Sequence, residues 1–367
     1  MKFSVIVSIE NSYELINNFL EILNAGTDFT EGELIVVIDG CKDCDVIDFL
    51  RKKEEERIIS KLLVWSERRG YSIANNRAAE NAHGEYLVFI NSDVLIQSGA
   101  INEMVRFIDS NADAGAVQAR LIYPQNNRIQ STGHLFERYH NAHVYQNLPA
   151  DDPRVMQTGT RQALTTALCA IRTTLFKDLG GFDESYYNAY EGMELTLKIT
   201  MMGGKCVYLP TAVGYHMTGG TRNKIDFDDA YAGHLFWTRW HNSVKYDLID
   251  YIRPQILDSI KQNSFFLIYC SSLPWWEEIL NNLEISINGK TIIADRFSRQ
   301  INLYEALPYD ALRYGGNLLF VCNNASVLAQ NYNWCRVRQK DGDIAIDAHG
   351  KVIKLSQLTG VTPDETQ

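Results

Sequence analysis

Three places along the chain carry side chains of a type and spacing suited to chemistry on a phosphorylated substrate. The first is Asn91-Ser92-Asp93, directly after the apolar run Tyr86-Leu87-Val88-Phe89-Ile90. A carboxylate at the carboxyl end of a buried strand can hold Mg2+ or Mn2+, which take few protein oxygens and leave their other positions to phosphate and water. Taken alone, the tripeptide also reads as a turn or a helix cap. The second is Tyr190-Glu191-Gly192-Met193-Glu194-Leu195, downstream of Gly180-Gly181-Phe182-Asp183. Glu191 and Glu194 are three apart and would share one face at a helix start. One of them could take the proton from an attacking hydroxyl, although acids in a first turn also serve the helix dipole. The third is His216, ahead of Thr218-Gly219-Gly220-Thr221-Arg222. Its imidazole can complete a metal shell and Arg222 can neutralise phosphate; a single histidine equally makes structural hydrogen bonds.

The elements that must position these residues follow from periodicity. Apolar runs at Val5–Ile9, Leu34–Ile38, Leu62–Trp65 and Tyr86–Ile90 read as strands. Between them lie helical patterns at 13–23, 45–59 and 72–82, the last expected to end on Gly84 as a C-cap; another follows at 101–110. Strands that are apolar on both faces and alternate with helices predict a parallel sheet covered on both sides. Ligands of such sheets sit at the carboxyl ends of the strands, where Asp39 and Asp93 fall. Beyond Val117 the pattern turns to shorter strands and polar loops. A helix is expected from about Met193 to Met202, a strand over Cys206–Pro210 with His216 past its end, and an aromatic helix over Tyr231–Trp240. After about residue 250 the tail predicts a helix over 275–283 and hairpins at 285–292 and 343–352, turning at Asn288-Gly289 and His349-Gly350.

Order and spacing carry more than any single residue. The stretch from Arg69-Gly70-Tyr71-Ser72-Ile73-Ala74-Asn75-Asn76-Arg77 to Asn91-Ser92-Asp93, then Leu121-Ile122-Tyr123-Pro124 with Ile129-Gln130-Ser131-Thr132-Gly133, then Leu175-Phe176-Lys177-Asp178-Leu179-Gly180-Gly181-Phe182-Asp183-Glu184 resemble glycosyltransferase family 2 with a GT-A fold. The similarity spans about residues 3–242 and is nearest in flavour to the bacterial rhamnosyltransferase-like group that builds surface polysaccharides. The resemblance implies an α/β fold with a mostly parallel sheet and helices on both faces, over residues 1–245. A smaller C-terminal α+β or β-rich module, 246–367, would follow. It implies that Asp39 lies near the nucleobase, that Arg69 and Asn76 line the nucleotide, and that Ser92 and Asp93 belong to the metal-binding DxD-type motif. His216 would be an additional metal and diphosphate ligand, and Thr166 would lie in the small-residue segment 165–170 beside the donor sugar, with Arg222 also on the donor. The expected reaction is inverting transfer from a UDP- or dTDP-sugar, with Mn2+ or Mg2+, to a glycan or lipid-linked glycan. Two departures stand out. Asn91 holds the first DxD position, and Gly192 stands where the family usually carries the aspartate base, leaving Glu191 or Glu194 for that role. The alternative is a catalytically impaired nucleotide- or glycan-binding protein on the same fold.

The bulk composition agrees with this reading. The 367 residues carry a net charge of -10, which argues against a nucleic-acid partner. No apolar run approaches the ~18 residues of a membrane span, no secretory leader is read at Met1-Lys2, and seven scattered cysteines fit reduced thiols. A cytoplasmic enzyme is expected, working free or peripherally at the inner membrane face. Cys41-Lys42-Asp43-Cys44 has no second pair for zinc. A nucleotidyltransferase would need a glycine-rich basic loop where Glu10-Asn11-Ser12-Tyr13 stands.

Overall fold

The computed structural model describes residues 1–9, 13–41, 43–137, 140–146, 148–217 and 227–245, with 247, 251, 265–270, 317–322, 342–346 and 352–354 beyond them. Arg222, the helix expected over 275–283 and the hairpin at 285–292 lie outside the described residues. In chain order the elements are β1 Phe3–Ile9, α1 Tyr13–Gly26, β2 Gly32–Asp39, α2 Cys44–Glu55, β3 Lys61–Trp65, α3 Tyr71–Glu80, β4 Tyr86–Ile90, β5 Val94–Ile96, α4 Ala100–Ser110, β6 Ala114–Tyr123, β7 Arg128–Ser131 and β8 His134–Glu137. They continue as β9 His140–His143, β10 Gly159–Arg161, β11 Leu168–Arg172, α5 Thr173–Asp178, α6 Glu191–Met201, β12 Lys205–His216, α7 Phe227–Trp240, β13 Phe265–Cys270, β14 Asn317–Cys322, β15 Ile344–Ile346 and β16 Val352–Lys354.

The main sheet runs β10-β12-β6-β11-β4-β1-β2-β3, with β5 on β12 and β7 on β6. The strands β3, β2, β1 and β4 are mutually parallel, β11 runs antiparallel between β4 and β6, and β12 returns parallel to β6. Alternate residues of each buried strand face opposite layers. Val5, Val7, Leu34, Val36 and Ile38 join α1, α2 and α4 on one side. Ile6, Ile35 and Val37 join α3, α5 and α6 on the other. Two-sided burial explains why the strands lack a polar face.

The chain divides into two compact units, Met1–Leu135 with His143–Lys245, and Phe136–Ala142 with Tyr246–Gln367. Within the second, the sheet order is β13-β14-β15-β16, with β13, β14 and β15 parallel and β15 antiparallel to β16.

Two local expectations change. Helix α3 ends at Glu80 with Asn81 as its right-handed cap, so Gly84 is no C-cap. A Cβ at Gly84 would lie 2.5 Å from the Phe3 carbonyl carbon and the Ser4 nitrogen, so glycine is there for close backbone approach to β1. The strand expected to end at Pro210 runs on to His216. Its pairing with β6 shifts register between Leu209 and Val213. Pro210 sits in that irregular stretch, where a missing N–H costs no ladder bond.

Candidate functional site

The carboxyl ends of the central strands carry one continuous group of polar side chains. At its first end, Asp93 lies between β4 and β5, and β5 pairs with the last stretch of β12 so that Val94 faces His216. That register brings His216 Nε2 to 3.1 Å from Asp93 Oδ1, and the Met217 N–H donates to the Asp93 carbonyl at 3.0 Å. His216 is 8% exposed, and its Nδ1 lies 2.8 Å from Gln130 Oε1 on β7. An amide oxygen only accepts, so the hydrogen on the Nδ1 side points at Gln130 and Nε2 faces the carboxylate. Two acceptors at 3.1 Å are stabilised by a cation, a proton or a metal, at their edge. The Asn91 Oδ1 nearby is buried and has no hydrogen-bond partner among the described residues. Oxygen and imidazole donors of this kind fit Mn2+ or Mg2+. Among the described residues no three His, Cys, Asp or Glu side chains converge.

The next group holds loops by their backbone. Asp39, 2% exposed at the end of β2, accepts from the Arg69 N–H at 2.7 Å and the Gly70 N–H at 2.9 Å. Gly40, at φ +81°, allows the Arg68 backbone to lie directly against it. The Arg69 guanidinium covers the Trp65 ring at 5.0 Å and that of Arg68 covers Tyr187 at 5.3 Å. Asn76 on α3 works in the same way. Its Oδ1 accepts from the Phe182 N–H, while Nδ2 donates to the Phe182 carbonyl and to Glu184, all at 2.9–3.1 Å. Its amide thus clamps the Gly180–Glu184 loop. Ser92 is half-buried in the turn before Asp93.

The opposite end is the first turn of α6. Glu191 begins the helix and is partly buried. Tyr190, its N-cap, has φ 68° and ψ -15°, and its side chain makes no capping hydrogen bond. A Cβ on Gly192 would collide with Thr166 Oγ1 and lie 2.8 Å from Thr166 Cγ2. Thr166 is 4% exposed and its Oγ1 accepts from the Tyr71 hydroxyl at 3.3 Å. Enclosure pushes that hydroxyl well above its ordinary range, and the charge of Glu191 adds to the effect. Glu194 is differently placed. Its carboxylate, 2% exposed, lies 2.9 Å from Lys198 Nζ and 3.5 Å from Arg239 Nη1, and Arg239 also meets Asp183 at 2.7 Å. Burial opposes ionisation of Asp183, yet donors from Ser185 and Arg239 hold its carboxyl below the usual value.

The segment 165–167 joins the two ends. The Asn91 N–H donates to the Ala167 carbonyl at 2.9 Å, and the Thr165 N–H donates to Gln118 at 2.9 Å. Beside it, His134 on β8 stacks on His143 at 4.6 Å, and burial holds His134 well below its ordinary value of 6.5. Asp93, His216, Thr166 and Glu191 are the residues that sequence reasoning singles out here, and the structure adds their neighbours Gln130, Tyr71 and Tyr190. The stretch Ile129-Gln130-Ser131-Thr132-Gly133 carries the only sequence signal for the first of these.

Residues 4–180 match the family model described as Glycosyl transferase family 2. The chain is 25% identical over 248 residues to the O-antigen biosynthesis protein RfbC of Myxococcus xanthus, covering 64% of this chain and 19% of that protein. It is 30% identical over 238 residues to the poly(ribitol-phosphate) beta-N-acetylglucosaminyltransferase TarS of Staphylococcus aureus strain MW2, covering 62% of this chain and 39% of that protein. The chain thus spans well under half the length of these relatives. Among solved structures it is similar to GalNAc-T7 with UDP, GalNAc and Mn2+, at a TM-score of 0.55 and 15% identity, over 79% of this chain and 55% of that one. At this identity the likeness shows the fold, an α/β GT-A domain.

Proposed function

We propose that this chain, whose residues 4–180 belong to glycosyltransferase family 2, transfers a sugar from a UDP- or dTDP-sugar to a hydroxyl of a growing surface glycan. The observation that carries the reading is the Asp93–His216 pair, 3.1 Å apart at the strand ends, with Gln130 orienting the imidazole. Asp93 and His216 would hold Mn2+ or Mg2+, which, when bound, offsets charge on a departing diphosphate. The GalNAc-T7 structure, with UDP and Mn2+ together, supports that choice. The Arg69 and Asp39 end of the site would take the nucleoside, and Thr166 would border the sugar.

Glu191 is the general base in this reading. It accepts the acceptor's hydroxyl proton while that oxygen attacks the anomeric carbon from the face opposite the diphosphate. The carbon–oxygen bond to the diphosphate breaks in the same step, so configuration inverts. Glu194 is set aside as base because Lys198 and Arg239 already neutralise it. The names of RfbC and TarS support an acceptor in a cell-surface polymer. No helix among the described residues is long and apolar enough to cross a membrane, which is compatible with work in the cytoplasm or peripherally on lipid-linked acceptors.

A second reading has one specific support. Gly192 removes the usual side chain, and a binding protein would need none. Thermal unfolding with UDP, dTDP, GDP and CMP, each with Mn2+ and with chelator, separates the two. A ligand at ~100 times its Kd adds about 2.7 kcal/mol. A metal-dependent shift for one nucleotide, followed by turnover of its sugars, is the expected result. A shift without turnover favours the binding protein, and no shift with any nucleotide removes the donor site.

A further inference from the structure

We infer that Gln118 on β6 is a positioning residue whose one side-chain amide fixes both the bulge that turns Gln130 toward His216 and the 165–167 segment beside the donor sugar. This rests on the reading of Asp93 and His216 as metal ligands and of that segment as the sugar border. Gln118 has no exposed surface. It pairs with Cys169 on β11 and with Tyr208 on β12. Cys169, and Ala116 two residues earlier on β6, belong to an apolar cluster. An apolar side chain of the same length would fill this space, and a buried amide is costly unless it is hydrogen-bonded. Here the whole amide is used. Its Oε1 accepts from the Thr165 N–H at 2.9 Å. Its Nε2 donates to the Ser131 carbonyl at 3.3 Å and to Ser131 Oγ at 3.2 Å, and lies 3.3 Å from the Ala119 carbonyl. A backbone N–H only donates and a carbonyl only accepts, so these partners fix which way the amide faces.

Each partner belongs to a different part of the site. Ile122 pairs with Ile129 and Leu121 with Ser131, so Gln130 is the extra residue of a one-residue bulge in β7. In unbroken register Gln130 would stand opposite Leu121, a member of the large apolar core cluster, and would share its face. A bulge re-aims a side chain, and Gln130 instead reaches His216, with Oε1 2.8 Å from Nδ1. Ser131 closes the bulge, and it is the residue that Gln118 holds. Ser131 Oγ also accepts from the Gly133 N–H at 3.2 Å. On the other side, Thr196 Oγ1 holds one end of the 164–167 stretch by accepting from the Leu164 N–H at 2.8 Å. The Asn91 N–H holds the other end through the Ala167 carbonyl at 2.9 Å. Gln118 takes an N–H between them. Strand β6 lies between β12 and β11 in the main sheet, so both attachments refer to one central strand, and loss of the amide releases both together.

The test compares Gln118→Met, Ser131→Ala and the distant core change Ile35→Val in the full chain. Three readouts are taken: amide hydrogen exchange of the free protein, the Mn2+ concentration for half-maximal binding of UDP or dTDP, and the Kd of UDP-GlcNAc, UDP-glucose and dTDP-rhamnose relative to the bare nucleotide. Gln118→Met keeps the length and removes the hydrogen bonds. Exchange over 128–135 and 160–168 should quicken about tenfold, with β2 unchanged. The Mn2+ requirement should rise about three- to tenfold, and the sugar-nucleotide Kd relative to the bare nucleotide by about threefold or more. Ser131→Ala should raise the Mn2+ requirement by about twofold and leave the sugar ratio as in the parent. Ile35→Val should lower the melting point and move neither ligand readout. A parental Mn2+ requirement or a parental sugar ratio in folded Gln118→Met would overturn the inference, as would Ile35→Val reproducing both shifts. Should Gln118→Met not fold, a parental Mn2+ requirement in Ser131→Ala overturns it. A parent whose nucleotide binding ignores Mn2+ would sink the metal reading and the inference with it. Metal-dependent binding in the parent, unchanged in Gln118→Met, would sink the positioning role alone.

Discussion

The two ends of the site are built by different means. At Asp93 and His216 the geometry comes from strand register: β5 pairs with β12, residue 94 meets residue 216, and the side chains fall together. At Glu191 no ladder fixes the geometry. A disfavoured backbone at Tyr190 is held by an aromatic contact with α7 and by the Thr166 side chain over Gly192. Register is set by hydrogen bonds that recur along a whole strand and tolerates side-chain change. Packing around one strained residue does not, so the Glu191 end should be the more easily lost of the two.

The largest expected effect tests the register-built end. Asp93→Ala should cut turnover about 10²-fold or more and abolish the metal-dependent part of the nucleotide thermal shift; unchanged turnover would remove the metal end from the mechanism. Glu191→Gln should lower kcat by about 10²-fold with nucleotide Kd intact, measured by calorimetry. The Glu194→Gln change should instead act on stability. Breaking one partner of a buried ion pair costs about 3 kcal/mol, discounted here because Lys198 and Arg239 are partly exposed; denaturant melts report it.

A smaller effect sharpens the packing side. Gly192→Ala should cost about 1–3 kcal/mol by overpacking against Thr166, and the swap Thr166→Gly with Gly192→Ala should recover much of it. Equal melting points for single and double variants would show that the two positions do not share one space. The smallest concerns His134. Its folded pKa lies below 6.5, so the unfolded chain binds more protons as pH drops through that value, and stability present above about pH 6.5 is lost below it. His134→Phe should flatten that slope between about pH 7 and pH 5 in thermal melts.

The sequence made the parallel half of the sheet readable because β1, β2 and β4 are buried along nearly their whole length and are mostly apolar. It also brought forward Asp93, because such sheets bind ligands at strand ends, and His216, which the pairing of β5 with β12 sets beside it. Three kinds of information were not local. Whether the polar groups of Asp39 and Asn76 face a ligand or hold a loop depends on amides 30 or more residues away. Pro210 looked like a strand terminus because a bulge that accommodates it leaves no periodic mark. The left-handed Tyr190 has no mark in its own stretch of sequence, and its ring packs on α7, more than 40 residues later.

The register shift in β12 has a consequence for how this site can vary. Residues before the shift pair with β6 along 114–119, and residues after it pair along 120–122 and carry His216 to β5. One strand therefore contains two independently indexed segments joined by Pro210, Thr211 and Ala212. A residue gained or lost within that joint can be absorbed without unzipping the buried first segment. The same change placed after Val213 would turn His216 to the opposite face of the sheet. The joint is the natural place for length variation among descendants of this chain, and the stretch from Val213 to His216 the place where length is frozen.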